Sequence, residues 1–469
     1  MSIAEDAAAT DSTTGLLTQA ATAASEFLQT VRQRRVPATA TAGELHAAFG
    51  VPFAAQGRDP EEVLRALVNA AEPGLVASAG PRYFGFVVGG SLPVTVAADW
   101  LASAWDQNAG LYVLSPAAAV VEDTVATWLI DLFGLPSGVS TGFVTGCQMA
   151  NFTALAAARH SVLAAQEWDV EQYGLIGAPP IEIVVGAESH VTIHNALRLL
   201  GFGIGRMRVV ATDDQGRMLP DALEETLRGL TAPAIVCAQA GGVNSGAFDP
   251  IDEIAPIVRR HSGWLHVDGA FGLWAAASPE QRHLVRGIEL ADSWATDAHK
   301  WLNVPYDSGL VFVRDVQAHR ASTSLVASYL VPATDGQRDN TDWVPDSSRR
   351  ARGFALWAAL QTLGRNGVAD LVARCCSHAR LFASLLRGER GVTIANDVVL
   401  NQVLVRFGSD DITRDVIARV QRGGVCWLGG TTWRGEAAMR ISVSNWMTTE
   451  ADVEQSAAAI VKAFREATG

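Results

Sequence analysis

The stretch WLHVDGAFG, Trp264–Gly272, decides the fold. Trp264, Leu265 and Val267 form an apolar run of strand length, and Asp268 closes it. A strand that is apolar on both faces belongs inside a sheet covered by helices. An acid at its carboxyl end falls where open α/β sheets bind ligands. The same rhythm recurs upstream. IEIVVGAE (181–188), RMRVVAT (206–212) and APAIVCAQA (232–240) read as strands. HVTIHNALRLLG (190–201), LPDALEETLRG (219–229) and DEIAPIVRRHS (252–262) read as the helices between them. Downstream, GLVFVRD (309–315) is another strand. Such alternation predicts an α/β body with a largely parallel sheet.

The flanks differ from this body. Leu17, Ala21, Ala24, Leu28 and Val31 recur at helical spacing, and a second helix starts at Asp59 and Pro60. A helix is predicted from Pro116 to about Phe133. Beyond Arg320 the rhythm stops at a polar loop, ATDGQRDNTDWVPDSSRR (333–350), followed by a helix to about residue 363. Strands at VVLNQVLVRF (398–407) and AMRISVSN (438–445), with helices around them, predict a smaller α+β domain. The expected division is a helical segment over 1–79, a large domain over 80–365 and a small domain over 366–469.

The 469 residues carry 36 basic and 49 acidic side chains, a net charge of −13. That surface does not favour nucleic acid or anionic lipid. The first residues have no basic start and no apolar core, and no run is long enough to span a bilayer. The five cysteines, Cys147, Cys237, Cys375, Cys376 and Cys426, fit no disulfide or metal spacing, which suggests reduced thiols in a cytoplasmic protein.

Only two of the basic residues are lysines, Lys300 and Lys462. Arginine stays charged in proteins, whereas lysine can lose its proton and attack an aldehyde. Lys300 lies in DAHKWLN (297–303), beside a histidine and downstream of the strand ending at Asp268. Asp268 would hold a proton on a pyridine nitrogen, and the small Ala270 would leave room for a flat ring. VTGCQMAN (144–151) offers a glycine turn before a helix expected to start near Met149. The backbone N–H groups of Gly146, Cys147 and Gln148 there could hold a phosphate. His190 could stack on a planar ring. His194 lies one turn later, but no third ligand accompanies the pair, so no metal is expected. Together these residues describe a pyridoxal 5'-phosphate site, in which the cofactor supplies the electron sink.

With AESHVT, WLHVDGAFG, DAHKWL and MRISVSN in place, the chain resembles the pyridoxal-phosphate-dependent group II amino acid decarboxylases, such as those of aromatic amino acids and glutamate. The likeness runs from about Gly80 to the C-terminus. It implies fold type I of the aspartate aminotransferase kind, with a mostly parallel seven-stranded sheet, and a homodimer with shared active sites. It also implies decarboxylation of an L-amino acid to its amine, with transamination or carbon–carbon lyase chemistry as the alternative. By the resemblance, Lys300 forms the imine, His299 contacts the phosphate and Asp268 faces the ring nitrogen. Ala270 and His190 take the two ring faces, and Arg440 takes the substrate α-carboxylate. Tyr329 stands where aromatic-amino-acid decarboxylases have a mobile-loop tyrosine that protonates the substrate carbon.

Some positions depart from the pattern. GCQMAN replaces GGSEAN at the phosphate turn. Gly242 and Val243 replace a pair of threonines, a loss that Asn244 would offset. Asp297 replaces an asparagine found in some members. Tyr83, Phe84 and Phe86, with Trp105 nearby, are read as lining a pocket for a bulky apolar or aromatic side chain, the alternative being that Tyr83 and Phe84 are core residues.

Overall fold

The computed structural model describes residues 3–325 and 336–469. Tyr329 lies outside the described residues. Two sheets organise the chain. The larger contains β1 (Ser140–Val144), β2 (Glu182–Gly186), β3 (Arg208–Val210), β4 (Ala234–Gln239), β5 (Trp264–Asp268), β6 (Ser293–Asp297) and β7 (Gly309–Val313). Its order is β1-β7-β6-β5-β4-β2-β3, and every pairing is parallel except those made by β7. The smaller is antiparallel, with β8 (Val392–Ile394), β9 (Gln402–Phe407), β10 (Gly429–Trp433) and β11 (Glu436–Ser442) in the order β10-β11-β9-β8.

The central strands are buried at every position, as a sheet covered on both faces requires. On one side pack Leu155, Leu163, Ile193 and Leu197 from the helices Cys147–Ala164 and Val191–Leu199. On the other lie Leu129, Phe133, Trp274 and Phe312. The helix Pro116–Phe133 has the predicted bounds. It is capped by Ser115, whose hydroxyl accepts the Ala118 N–H, and it ends at left-handed Gly134.

Some elements differ from expectation. β6, SWATD, did not read as a strand, because its polar side chains are satisfied inside the protein rather than by water. The helix predicted over 350–363 starts at Gly353 and ends as expected at Gly364, where φ is +58°, and a second helix, not expected as such, runs on from there to Arg387. Glycine meets that conformation without the clash a Cβ would bring. The helix expected near Met149 starts two residues earlier, at Cys147.

The segment before residue 90 joins the smaller sheet. Phe84 N–H donates to Trp427 O, Trp427 N–H to Arg82 O, and Ser442 N–H to Phe84 O. Phe84 is 1% exposed and meets Phe382 edge-on at 4.9 Å. It is therefore a core side chain and not a pocket wall, which corrects the expectation. The Trp105 ring packs edge-on against Phe354, with half its surface exposed.

Candidate active site

Four strand ends of the larger sheet converge. Asp268 ends β5, Asp297 ends β6, Gly146 and Cys147 follow β1, and His190 follows β2. Register sets Val144, Gly309 and Asp297 in one row across β1, β7 and β6. A Cβ on Gly309 would lie 2.5 Å from the Gly146 backbone, so only glycine allows this approach. A Cβ on Gly146 would lie 3.2 Å from His299 Cε1 and 3.4 Å from Asp297 Oδ1.

Asp268 is 4% exposed and held by neutral donors. Its Oδ1 accepts from the Ala270 N–H at 3.1 Å and the Cys147 thiol at 3.4 Å. Its Oδ2 accepts from Asn151 Nδ2 at 3.1 Å. A hydrogen-bond chain continues behind Asn151. His266 Nε2 donates to Asn151 Oδ1 at 2.9 Å, the Ser293 hydroxyl donates to His266 Nδ1 at 2.9 Å, and Trp264 Nε1 donates to Ser293 Oγ at 2.9 Å. Those roles satisfy every donor with a neutral imidazole. Burial pushes His266 down to about 4, against a weaker upward pull from Asp268. The sequence reading missed Asn151 and His266. Two signals were present: His266 shares a strand face with Asp268 two residues on, and Asn151 interrupts an alanine-rich helix.

The two lysines separate cleanly. The Lys462 side chain is 77% exposed and the Lys300 side chain 19%. Lys300 Nζ lies 3.0 Å from Asp297 Oδ2. Burial disfavours its charge, but Asp297, in contact, with Asp268 beyond it, outweighs burial and holds its pKa above the usual lysine value. Asp297 Oδ1 accepts the Cys147 N–H at 2.6 Å and faces His299 Nε2 at 3.5 Å. His299 Nδ1 accepts the Ser308 N–H at 3.1 Å, and its ring lies 4.3 Å from that of Tyr306.

Asn303 fixes the turn after Lys300. Its Oδ1 accepts the N–H groups of Gly90 at 2.7 Å and Trp446 at 3.0 Å. Its Nδ2 donates to Trp301 O at 2.7 Å and Ser444 O at 3.0 Å. The lysine turn is thereby tied to the segment before the first long helix of the body and to the end of the smaller sheet. A Cβ on Gly89 would come within 1.9 Å of Lys300 O, which accounts for glycine at that position.

His190 caps the helix Val191–Leu199. Its Nδ1 takes the Thr192 N–H at 3.3 Å and the Thr192 hydroxyl at 2.7 Å, leaving Nε2 as the donor. Burial lowers its pKa first. Asp268 pulls the other way, and Lys300 and Arg440 add to the lowering. These charges surround it. Arg440, on β11, has its pKa lowered by burial alone, and no carboxylate pairs with it among the described residues.

The other expected residues lie further out. Tyr83 stacks on Trp427 at 5.0 Å and 5°, and within electrostatic reach of Tyr306. Phe86 is exposed and tilts against Trp427. Gln148 is exposed at the helix start, and Ala270 is half-buried beside Asp268. Asn244 Oδ1 accepts the Thr431 hydroxyl at 2.9 Å, which engages it with β10. His194 bonds Ser189 at 2.8 Å.

The donor set suits a pyridine carrying an aldehyde and a phosphate. Asp268, held by neutral groups, has no cation in contact among the described residues. The half-buried amine of Lys300 lies within electrostatic reach of it. Among the described residues, the N–H groups of Gln148 and Met149 have no partner, while that of Cys147 is held by Asp297.

Fold and site together define a pyridoxal-phosphate-dependent enzyme of fold type I. The family model described as "Pyridoxal-dependent decarboxylase conserved domain" matches residues 47–408, and the chain belongs to that family. It is 27% identical over 436 residues to tryptophan decarboxylase 1 of Oryza sativa subsp. japonica, covering 86% of this chain and 84% of that one. It is 32% identical over 319 residues to the acidic amino acid decarboxylase GADL1 of Homo sapiens, covering 66% of this chain and 60% of that one. The crystal structure of Oryza sativa TDC with PLP and tryptamine superimposes with a TM-score of 0.91 at 24% identity, covering 97% of this chain and 98% of that one. The cofactor is pyridoxal 5'-phosphate, and the enzyme is of the amino acid decarboxylase kind.

Proposed function

We propose that the protein removes the α-carboxylate of an L-amino acid with a bulky apolar or aromatic side chain, releasing the amine and carbon dioxide. The observation that carries this reading is the placement of Lys300. It is the less exposed lysine of the pair, and at the strand ends its Nζ lies 3.0 Å from Asp297, whose other oxygen holds the first N–H of the helix Cys147–Ala164, with Asp268 in electrostatic reach. When bound, the cofactor supplies an aldehyde for the amine and an electron-withdrawing ring.

The chain's residues do the rest. Lys300 gives the attaching amine. Asp268, fixed by Asn151, Cys147 and the Ala270 N–H, holds a proton at the pyridine nitrogen. The turn Gly146, Cys147 and Gln148, with His299, would hold the phosphate end, and His190 and Ala270 would sit beside the ring. Arg440, free of a carboxylate partner among the described residues, takes the substrate carboxylate in an orientation that lets its bond break. Tyr83 and its stacked neighbour Trp427 offer an aromatic wall to the side chain. Tyr329 returns a proton to the α-carbon after carbon dioxide leaves.

We also propose the division into a segment over 1–79, a large domain over 80–365 and a small domain over 366–469. We propose a homodimer as well, supported by the exposed Trp100, Leu101, Trp105, Val113, Leu114 and Val120 on and between the helices Pro93–Trp105 and Pro116–Phe133. A cytoplasmic location is supported by five cysteines that are all free and buried. No helix among the described residues is long and apolar enough to cross a membrane.

The test is incubation with a broad panel of L-amino acids while carbon dioxide, oxygen and products are followed. One substrate should give carbon dioxide and amine in equal amounts without net oxygen use, and Tyr329→Phe should slow amine formation. A keto acid that retains its carboxylate would overturn decarboxylation in favour of transamination.

A further inference from the structure

Asp297 has no task in the scheme above, yet it is among the most constrained side chains of the site. It is 2% exposed and both oxygens are engaged, Oδ2 with Lys300 Nζ at 3.0 Å and Oδ1 with the Cys147 N–H at 2.6 Å. An asparagine at this position could accept the same N–H through its carbonyl. It would bring no charge to the lysine nitrogen. The position therefore separates the effect of shape from the effect of charge.

The other ionisable groups facing Lys300 come from every element around it. They are the Cys147 thiol on the helix start, Asp268 at the end of β5, His190 after β2, His299 beside it and Tyr306 on the turn into β7, with Arg440 beyond His190. Burial pushes the thiol far up and both imidazoles down, so all three are neutral near pH 7. The Tyr306 phenol is likewise pushed up by burial and stays neutral. Asp268 is occupied by three donors of its own. Asp297 is the anion in direct contact with Nζ.

We propose that Asp297 holds the nitrogen of Lys300 in its charged form throughout the resting state, as ammonium in the free protein and as protonated imine once the cofactor is attached. A carboxylate 3.0 Å from a nitrogen favours whichever form of that nitrogen is positive. A protonated imine carbon is the more electrophilic one, so the linkage stays open to attack by the substrate's amino group. This rests on the reading of Lys300 as the attachment residue.

Two measurements test it. The first titrates the cofactor-loaded protein with base and follows absorbance, since a protonated pyridoxal imine absorbs in the visible and a neutral one in the near ultraviolet. The midpoint should fall by about one pH unit or more in Asp297→Asn and Asp297→Ser, as loss of an opposite charge in contact implies. Asp297→Glu should stay nearer the wild type. An unshifted or raised midpoint in either neutral variant, with cofactor bound at one per chain, overturns the proposal.

The second needs no variant. Wild-type protein without cofactor is acetylated with trace acetic anhydride across a pH series, and the two lysine peptides are compared by mass. Lys300 should show a reaction midpoint above that of exposed Lys462, and a midpoint below it overturns the proposal. A visible band that survives Lys300→Ala would instead sink the attachment reading, so the two failures are distinguishable.

Discussion

The side-chain amide of Asn151 bridges Asp268 and His266, donating to Asp268 Oδ2 at 3.1 Å and accepting from His266 Nε2 at 2.9 Å. The bridge fixes the carboxylate's orientation from behind. Asn151→Ala leaves a buried acceptor and a buried donor unpaired, each costing about 1–3 kcal/mol. Turnover should fall roughly 10- to 100-fold if about 1.4–2.8 kcal/mol of that cost is felt in the transition state. Steady-state turnover and urea unfolding together check this, and turnover within about twofold of wild type would release Asn151 from a positioning role.

Asp268→Asn keeps the shape and removes the charge that would hold a proton on the ring nitrogen. Cofactor should still bind, while turnover drops by several powers of ten. Activity within about tenfold, equivalent to about 1.4 kcal/mol, would assign Asp268 another role.

Acid should destabilise the fold. Burial pushes His266 down to about 4 and His319 to about 3, from 6.5 in the open chain. Below 6.5 the unfolded chain takes up protons that the folded one refuses. This stability is complete above 6.5 and is lost as pH falls towards the folded values. Asp249 acts oppositely. Burial raises it to about 6 from 3.8, so its contribution is present below 3.8 and lost as pH rises through 6. The net expectation is a loss of roughly 2–3 kcal/mol between pH 7 and pH 5. Urea midpoints across that range check it, and His319→Asn should flatten the slope.

The exposed Trp100, Trp105 and Leu114 should be covered by a second copy of the chain. Sedimentation of the cofactor-loaded protein at micromolar concentration should show a dimer. A stable monomer would contradict the assembly, and with it the sharing of active sites.

Much of this was legible before the fold was known. β2, β4, β5 and β7 are continuous apolar runs, and Asp268, Lys300 and His190 carry chemistry at recognisable punctuation. β6 was not legible because Ser293 and Asp297 look solvated until their partners are known. Ser293 bonds His266 and Trp264, and Asp297 bonds Lys300 and the Cys147 N–H. The bridge between Asn151 and His266 joins residues 115 apart in sequence, a separation no local pattern reports. Phe84 misled because an aromatic near a glycine-rich turn reads the same whether it faces a pocket or, as here, Phe382.

The most direct test of the account is the site of cofactor attachment. The loaded protein is reduced with borohydride, digested, and its peptides weighed. The account predicts the cofactor's mass on the peptide containing Lys300 and an unlabelled Lys462. A label on Lys462, or on neither lysine, would contradict it.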